Sequence, residues 1–182
     1  MPNFKSFADL LTSIRALIVP ILIWLGFNQG ESALNTIVLL MLISWISDYF
    51  DGLFARKHPF EKQTWIGAHD LQIDVLVGSS LLIYLTVSGF VAINIAMLYL
   101  VGWWLFFLIR GMPKSYGAVF QAPIYLFLLW LAWQLNSWAL IYVITWLVGN
   151  ILYNWRRLFA TLIPEFFAGL RGFRKRRNSK TR

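Results

Sequence analysis

Residues 48–74 read DYFDGLFARKHPFEKQTWIGAHDLQID and include the four aspartates Asp48, Asp51, Asp70 and Asp74. The chain of 182 residues has only eight acidic side chains, and 59% of its residues are hydrophobic. Ionisable side chains are costly at membrane depth, so acids gathered in such a chain indicate a functional site. What these aspartates can do depends on where they lie relative to the apolar segments.

The composition is that of an integral membrane protein, with a mean hydropathy of +0.63, 18% aromatic residues and 13% charged residues. Residues 75–109 and residues 115–155 contain no charged side chain. A helix crosses the bilayer with about 20 residues, so each run is long enough for two spans folded back on each other. The segment from Arg15 to Asp48 follows the same pattern, with a polar turn at residues 28–31. We predict an all-α integral membrane protein with six transmembrane helices arranged as three hairpins.

The basic residues predict the orientation of this arrangement. All sixteen Lys and Arg residues fall at the ends and loops of one side in the six-span scheme. Because basic residues are retained in the cytoplasm, we predict a multi-pass protein of the cell membrane with both termini cytoplasmic. The absence of cysteine excludes disulfides and thiolate metal sites.

The C-terminal residues differ in character from the rest of the chain. Residues 1–158 are predicted to form the six-helix transmembrane domain, and residues 159–182 an interfacial amphipathic segment that ends in a basic cytoplasmic tail. A polybasic run beside a final span is typical of contact with anionic membrane lipids. We therefore expect lipid, and no nucleic acid, as the partner of this tail.

The four aspartates fall at neighbouring helix ends. Asp48 and Asp51 are three residues apart at the end of the second predicted span, and Asp70 and Asp74 are four apart at the start of the third. Each spacing places a pair on one helix face, and the short connecting loop makes the two helices neighbours. The carboxylates are thus predicted to converge. Ligand oxygens without cysteine favour a hard cation such as Mg²⁺, Mn²⁺ or Ca²⁺, and two such ions shared by four carboxylates can clamp phosphates.

The residues between the two pairs add features that suit a phosphorylated ligand. Gly52 and Ala55 are small enough to let a bulky group approach the helix, and Arg56 offers a planar donor for phosphate oxygens. Small residues also serve helix packing in membranes, which is the simpler interpretation of either one alone.

Together, Asp48-x-x-Asp51-Gly52-x-x-Ala55-Arg56 and Asp70-x-x-x-Asp74 closely resemble the signature of the CDP-alcohol phosphotransferase (CDP-alcohol phosphatidyltransferase) family. The stretch LLTSIRALIVP at residues 10–20 is similar to the Thr-x-x-Arg pattern of that family's first helix. The resemblance implies a six-helix membrane enzyme that transfers a substituted phosphate from a CDP-linked donor to an alcohol and releases CMP.

Two positions depart from the family pattern. The family glycine expected at Ile66 is found one residue later, at Gly67, and Asp9 stands where the family has an asparagine. The first departure lies close to Asp70, and the second could alter contacts with the donor.

The resemblance also implies roles for individual residues. Asp48, Asp51 and Asp70 would hold two divalent cations, Mg²⁺ or Mn²⁺. Asp74 would lie near the second ion and act as the general base. Gly52, Ala55 and Arg56 would accommodate the cytidine diphosphate of the donor, which is expected to be CDP-diacylglycerol.

The acceptor is expected to be a small polar alcohol. Glycerol 3-phosphate is the first choice, with inositol phosphate, serine or another alcohol as alternatives, and a homodimer is left open. Basic residues that the topology places on the same side as the acids are expected to bind an acceptor phosphate: Arg110, Lys114 and Arg156. The positive-inside rule alone would also put basic residues there.

Two interpretations of another class remain open. An intramembrane cation transporter would also use acids, but along a path near mid-bilayer with broken helices. An inactive, metal-stabilised scaffold is suggested by the displaced glycine.

Overall fold

The computed structural model describes residues 4–57 and 69–157 together with Pro164, with side chains described for residues 9–50, 69–153, 155 and 164. Long helices account for most of these residues: α1 (Phe4–Gln29), α2 (Leu34–Lys57), α3 (Asp70–Val87), α4 (Ile93–Arg110), α5 (Lys114–Gln134) and α6 (Leu140–Arg157). A four-residue 3₁₀ helix, Gly30–Ala33, joins α1 to α2. Apolar runs of this kind become helices in lipid because a helix satisfies its backbone hydrogen bonds within the segment.

The turns between helices are short where the structure describes them. Gly111 ends α4 with a φ of 77°, a left-handed conformation that favours glycine, and its N–H bonds to the carbonyl of Phe107. Pro113 then precedes α5, which begins at Lys114. A turn this tight makes α4 and α5 adjacent and antiparallel.

Helices α1 and α3 run parallel to each other. Thr12 lies beside Asp70, and farther along both helices a Cβ added to Gly26 would lie 3.3 Å from the Cα of Tyr84. The backbones therefore approach closely at a small residue, as is common between membrane helices. The Tyr84 hydroxyl also donates a hydrogen bond to the carbonyl of Gly30 at 3.1 Å, which ties α3 to the turn between α1 and α2.

Helix α5 runs parallel to α3 on another face of that helix. A Cβ on Gly117 would meet the side chains of Leu71 and Val75, and one on Gly78 would meet those of Phe120 and Gln121. Helix α3 therefore lies between α1 and α5, and its first turn is supported from both sides.

Helices α2 and α6 are also parallel neighbours. The Ser137 hydroxyl, in the turn before α6, donates to the side-chain oxygen of Asn35 at 2.8 Å, and the rings of Tyr49 and Trp146 meet edge to face at 6.4 Å. The end of α2, the start of α3 and the turn between α4 and α5 consequently lie at one end of the bundle.

Apolar side chains mainly from α1, α2, α3 and α5 form the core, and Leu22, Ile37, Leu81 and Leu128 are fully buried there. Helices α4 and α6 present large apolar residues outward, with Leu108 78% exposed. An apolar exterior around an apolar core suits a lipid environment.

Within the part of the chain that the structure describes, four apolar helical stretches are long enough to cross a membrane: Asp9–Phe50, Asp70–Val87, Ile93–Arg110 and Lys114–Gln134. The first is 42 residues long and runs through α1, the 3₁₀ turn and α2, while the apolar part of α6, Leu140–Tyr153, is shorter. The described residues contain no strand. The prediction of an all-α, multi-pass membrane protein is confirmed, and six crossings in three hairpins stay a prediction.

The predicted domain boundary at residue 158 and the interfacial tail fall outside the described residues, apart from Pro164. Both stay predictions.

Candidate active site

Three of the four predicted carboxylates come together where α2 and α3 pack on α1. Asp48 lies in the C-terminal half of α2, and Asp70 and Asp74 lie one turn apart at the start of α3. One carboxylate oxygen from each residue lies within 4.8 Å of the other two. The i, i+4 spacing of Asp70 and Asp74 gives them one face of α3, and the packing of α1 brings α2 and α3 together around that face.

The guanidinium of Arg15, on α1, lies among these three carboxylates. Its Nη1 donates to the Oδ1 atoms of Asp48, at 3.2 Å, and of Asp74, and its Nη2 donates to Oδ1 of Asp70. Arg15 is among the largest fully buried side chains of the described residues, with 0% exposure. A buried charge of this kind needs both ion pairing and hydrogen bonds, and these carboxylates supply both.

A hydroxyl on α1 completes the cluster. Thr12, one turn before Arg15, accepts a hydrogen bond from Nη2 of Arg15 at 3.3 Å, and its Oγ1 is 3.5 Å from Oδ1 of Asp70. A hydroxyl can accept from one partner while donating to another, so Thr12 links the guanidinium to Asp70.

The cluster has an open side and a closed side. The side chain of Asp48 is 58% exposed, those of Asp70 and Asp74 are 32% and 22% exposed, and that of Arg15 is fully enclosed. A ligand can therefore reach the carboxylates from the side of Asp48, whereas α1 closes the site behind them.

The donor set fits a hard divalent cation. Two oxygens on opposite sides of such an ion are about 4–5 Å apart, since its ligand distances are about 2.0–2.6 Å, and the three aspartates here offer oxygens within 4.8 Å of one another. When ionised, three carboxylates carry more negative charge than one guanidinium balances. The acidic group can therefore hold a metal ion.

The remaining predicted metal and donor residues follow Asp48 on α2. Asp51, Gly52, Ala55 and Arg56 all fall within the helical bounds of α2, but their side chains lie outside the described residues. Their proposed roles stay predictions, as does the effect of the displaced glycine, because Ile66 and Gly67 are also outside the described residues.

The basic residues expected to bind the acceptor lie at helix ends. Arg110 is the last residue of α4 and Lys114 the first of α5, and both are exposed. Lys114 is one turn before Gly117, which packs against Leu71 of α3, so it shares the end of the bundle that carries the carboxylates. Arg156 lies in the last turn of α6, and its side chain is outside the described residues.

Sequence reasoning assigned no site role to Arg15 or Thr12. The signal was present, because both belong to the Thr-x-x-Arg pattern of the first helix. Arg15 also belongs to the basic residues that predict the orientation, and that role alone is sufficient to account for its presence.

Comparison with known proteins gives one result. A family model described as CDP-alcohol phosphatidyltransferase matches residues 5–163. The comparisons with curated proteins and with solved structures give no match.

Proposed function

The chain belongs to the CDP-alcohol phosphatidyltransferase family, and we propose that it transfers a phosphatidyl group from CDP-diacylglycerol to glycerol 3-phosphate with release of CMP. Enzymes of this family are transferases of substituted phosphate groups that depend on divalent metal ions. The observation that carries the proposal is the convergence of Asp48, Asp70 and Asp74 at one end of a helical membrane protein.

The metal would be held by these three residues together with Asp51, as two Mg²⁺ or Mn²⁺ ions. Bound there, the ions would neutralise the donor's pyrophosphate and improve CMP as a leaving group. The exposure of Asp48 supports entry from the open side, where the pyrophosphate would also approach.

Asp74 is proposed as the general base. The acceptor hydroxyl oxygen forms a bond to the phosphatidyl phosphorus, and the bond from that phosphorus to the bridging oxygen breaks, so that CMP leaves with the electron pair. The hydroxyl proton passes to a carboxylate oxygen of Asp74. This residue is the most enclosed of the three carboxylates, with 22% exposure, which favours transfer to Asp74 over loss to bulk water.

The CDP moiety is proposed to lie along the last turns of α2. Gly52 and Ala55 would leave room beside the helix, and Arg56 would bind phosphate oxygens with its planar fork. The diacylglycerol chains would remain in the surrounding lipid. This arrangement joins a water-soluble head group and a membrane-bound tail at one helix end.

The acceptor is proposed to be a phosphorylated polyol. Its phosphate needs cationic partners because the site already holds the anionic donor, and the arginine and lysine side chains at the same end provide them: Arg110, Lys114 and Arg156. The position of Lys114 beside the start of α3 supports this assignment.

Six membrane spans with both termini in the cytoplasm are proposed for the whole chain. The parallel runs of α1, α3 and α5 support alternating directions of crossing. A homodimer and contact of the basic tail with anionic lipids belong to the same proposal.

The test is CMP release by the purified protein in detergent, with CDP-diacylglycerol and a panel of acceptors, with and without EDTA. We expect glycerol 3-phosphate to be the best acceptor and EDTA to abolish turnover until Mg²⁺ or Mn²⁺ is restored. Asp70→Asn provides the matched inactive control.

Each other result contradicts a distinct part of the proposal. Full turnover in excess EDTA would exclude the metal role, and serine as the best acceptor would exclude the phosphorylated polyol. Metal-dependent stability without CMP release from any acceptor would favour the inactive scaffold, and metal flux into vesicles would favour a transporter.

A further inference from the structure

The guanidinium of Arg15 and a bound metal ion would use the same three carboxylates. Arg15 donates to Oδ1 of Asp48, of Asp70 and of Asp74, the three residues whose oxygens lie close enough to surround one ion. The guanidinium is thus already placed as a cation among the ligands that a metal would take.

Both cations cannot hold these positions together. A guanidinium bridging three carboxylates and a divalent ion bonded to the same carboxylates would lie within a few ångströms of each other in a partly buried site. Like charges at that distance repel strongly where the effective dielectric constant is low. The carboxylates can turn their second oxygens outward, but the hydrogen bonds from Arg15 limit that rotation until they break.

We propose that Arg15 is the resident counter-ion of the metal-free site, and that a divalent cation binds Asp48, Asp70 and Asp74 by displacing the guanidinium from them. The inference rests on the proposed metal-dependent function. Arg15 is a positioning residue in this scheme, since it holds the three carboxylates together in the membrane before metal arrives. It makes the metal-free fold more stable and weakens metal affinity by the same interaction.

This role differs from that of a structural arginine in a way that can be measured. An arginine that only joins α1 to α2 and α3 stabilises the metal-free and metal-bound forms equally, so its removal leaves metal affinity unchanged. A competing arginine stabilises only the metal-free form, so its removal lowers stability without metal and raises metal affinity.

The experiment measures the Tm of the full chain in detergent after EDTA treatment, as Mn²⁺ is added. Arg15→Met removes the charge and keeps much of the length, whereas Arg15→Lys keeps a charge that cannot bridge three carboxylates as a planar fork does. Tyr84→Phe is the matched destabilised control, because it removes the hydrogen bond to Gly30 roughly 20 Å along α3 from Asp70.

Without metal, we expect Tm to fall in the order wild type, Arg15→Lys, Arg15→Met. The Mn²⁺ concentration at which stabilisation begins should fall in that same order, by about tenfold for Arg15→Met. A tenfold gain in affinity is about 1.4 kcal/mol. At a saturating Mn²⁺ concentration, the rise in Tm of Arg15→Met on addition of metal should therefore exceed the rise in Tm of the wild type by about 3–6 °C. Tyr84→Phe should lower Tm by the same amount with and without Mn²⁺.

The outcomes separate this inference from the function on which it rests. If Mn²⁺ leaves the wild-type Tm unchanged, the proposed metal site is wrong. If the wild type responds but both Arg15 variants need as much Mn²⁺ as the wild type or more, the metal site stands and the displacement of Arg15 is wrong. If Arg15→Met does not fold in the absence of Mn²⁺, Arg15→Lys decides by the same criterion.

Discussion

Asp74→Asn removes the proposed proton acceptor while keeping the size of the side chain. A general base typically contributes about 10²–10⁴-fold to a rate, so kcat should fall by about that factor, equivalent to roughly 3–5.5 kcal/mol of barrier. Asp74 is 22% exposed, which leaves little room for a water molecule to replace it without rearrangement. The loss should therefore persist at saturating donor, acceptor and metal.

The fold should survive this substitution. Arg15 keeps Asp48 as a partner of Nη1 at 3.2 Å, and Nη2 keeps Asp70 and Thr12. The change thus removes one charge-assisted hydrogen bond, about 1.5–3 kcal/mol, and the weaker repulsion among the remaining carboxylates offsets part of that cost. A folded protein with a large loss of kcat is the expected result.

The assay pairs CMP release with Tm and gel filtration for each variant. Asp48→Asn is the matched control, because it makes the same chemical change in a carboxylate that also pairs with Arg15 but is 58% exposed. We expect Asp48→Asn to raise the metal concentration required, with excess metal restoring more turnover than in Asp74→Asn. Folded Asp74→Asn with kcat within about threefold of the wild type would show that Asp74 is not the base, since the expected loss is about 10²-fold or more.

Three further predictions test the acceptor pocket, the helix packing and the local register. Arg110→Ala should raise the acceptor KM by about 10-fold to 100-fold, which corresponds to the free energy of one charge-assisted hydrogen bond, and should change the donor KM little. An unchanged acceptor KM would show that Arg110 does not bind the acceptor. Gly26→Ala should lower Tm, at a cost of about 1–3 kcal/mol in stability, because the added Cβ would lie 3.3 Å from the backbone of α3. The control Gly102→Ala adds a Cβ that meets nothing within 4 Å and should leave Tm unchanged, so equal Tm values in the two variants would contradict the close packing. Moving the glycine one residue back, by Ile66→Gly with Gly67→Ala, should abolish CMP release, because ligands such as the nearby aspartates must be held within about 0.5 Å of their working positions. A gain in activity would show that glycine at position 67 impairs the enzyme.

Much of the fold could be predicted from the sequence because its determinants are local. The uncharged runs at residues 75–109 and 115–155 are interrupted by short polar turns, and the structure forms α3 to α6 around those turns. Helical periodicity likewise placed Asp70 and Asp74 on one face of α3. These properties depend on neighbours within a few residues, so they can be read without knowledge of the packing.

The site was only partly predictable. A short loop between two helices predicts the proximity of Asp48 to Asp70 and Asp74, and the structure brings these three together through the packing of both helices on α1. Nothing in the composition of α1 indicates which of its faces meets α3. Arg15 lies 33 residues before Asp48 and 59 before Asp74, and no local rule connects residues at such separations.

The sequence by itself determined the helical class, the family and the positions of the acids along the helices, because hydrophobic run length, helical spacing and a short motif are properties of the chain. Only the tertiary structure decided that α1 packs against both α2 and α3, and so that Arg15 becomes a buried cation within the carboxylate cluster. The physical reason is that a basic residue near a predicted helix end can remain in the aqueous loop or pair with acids. The choice depends on whether helix packing brings carboxylates close enough to offset the desolvation of its charge.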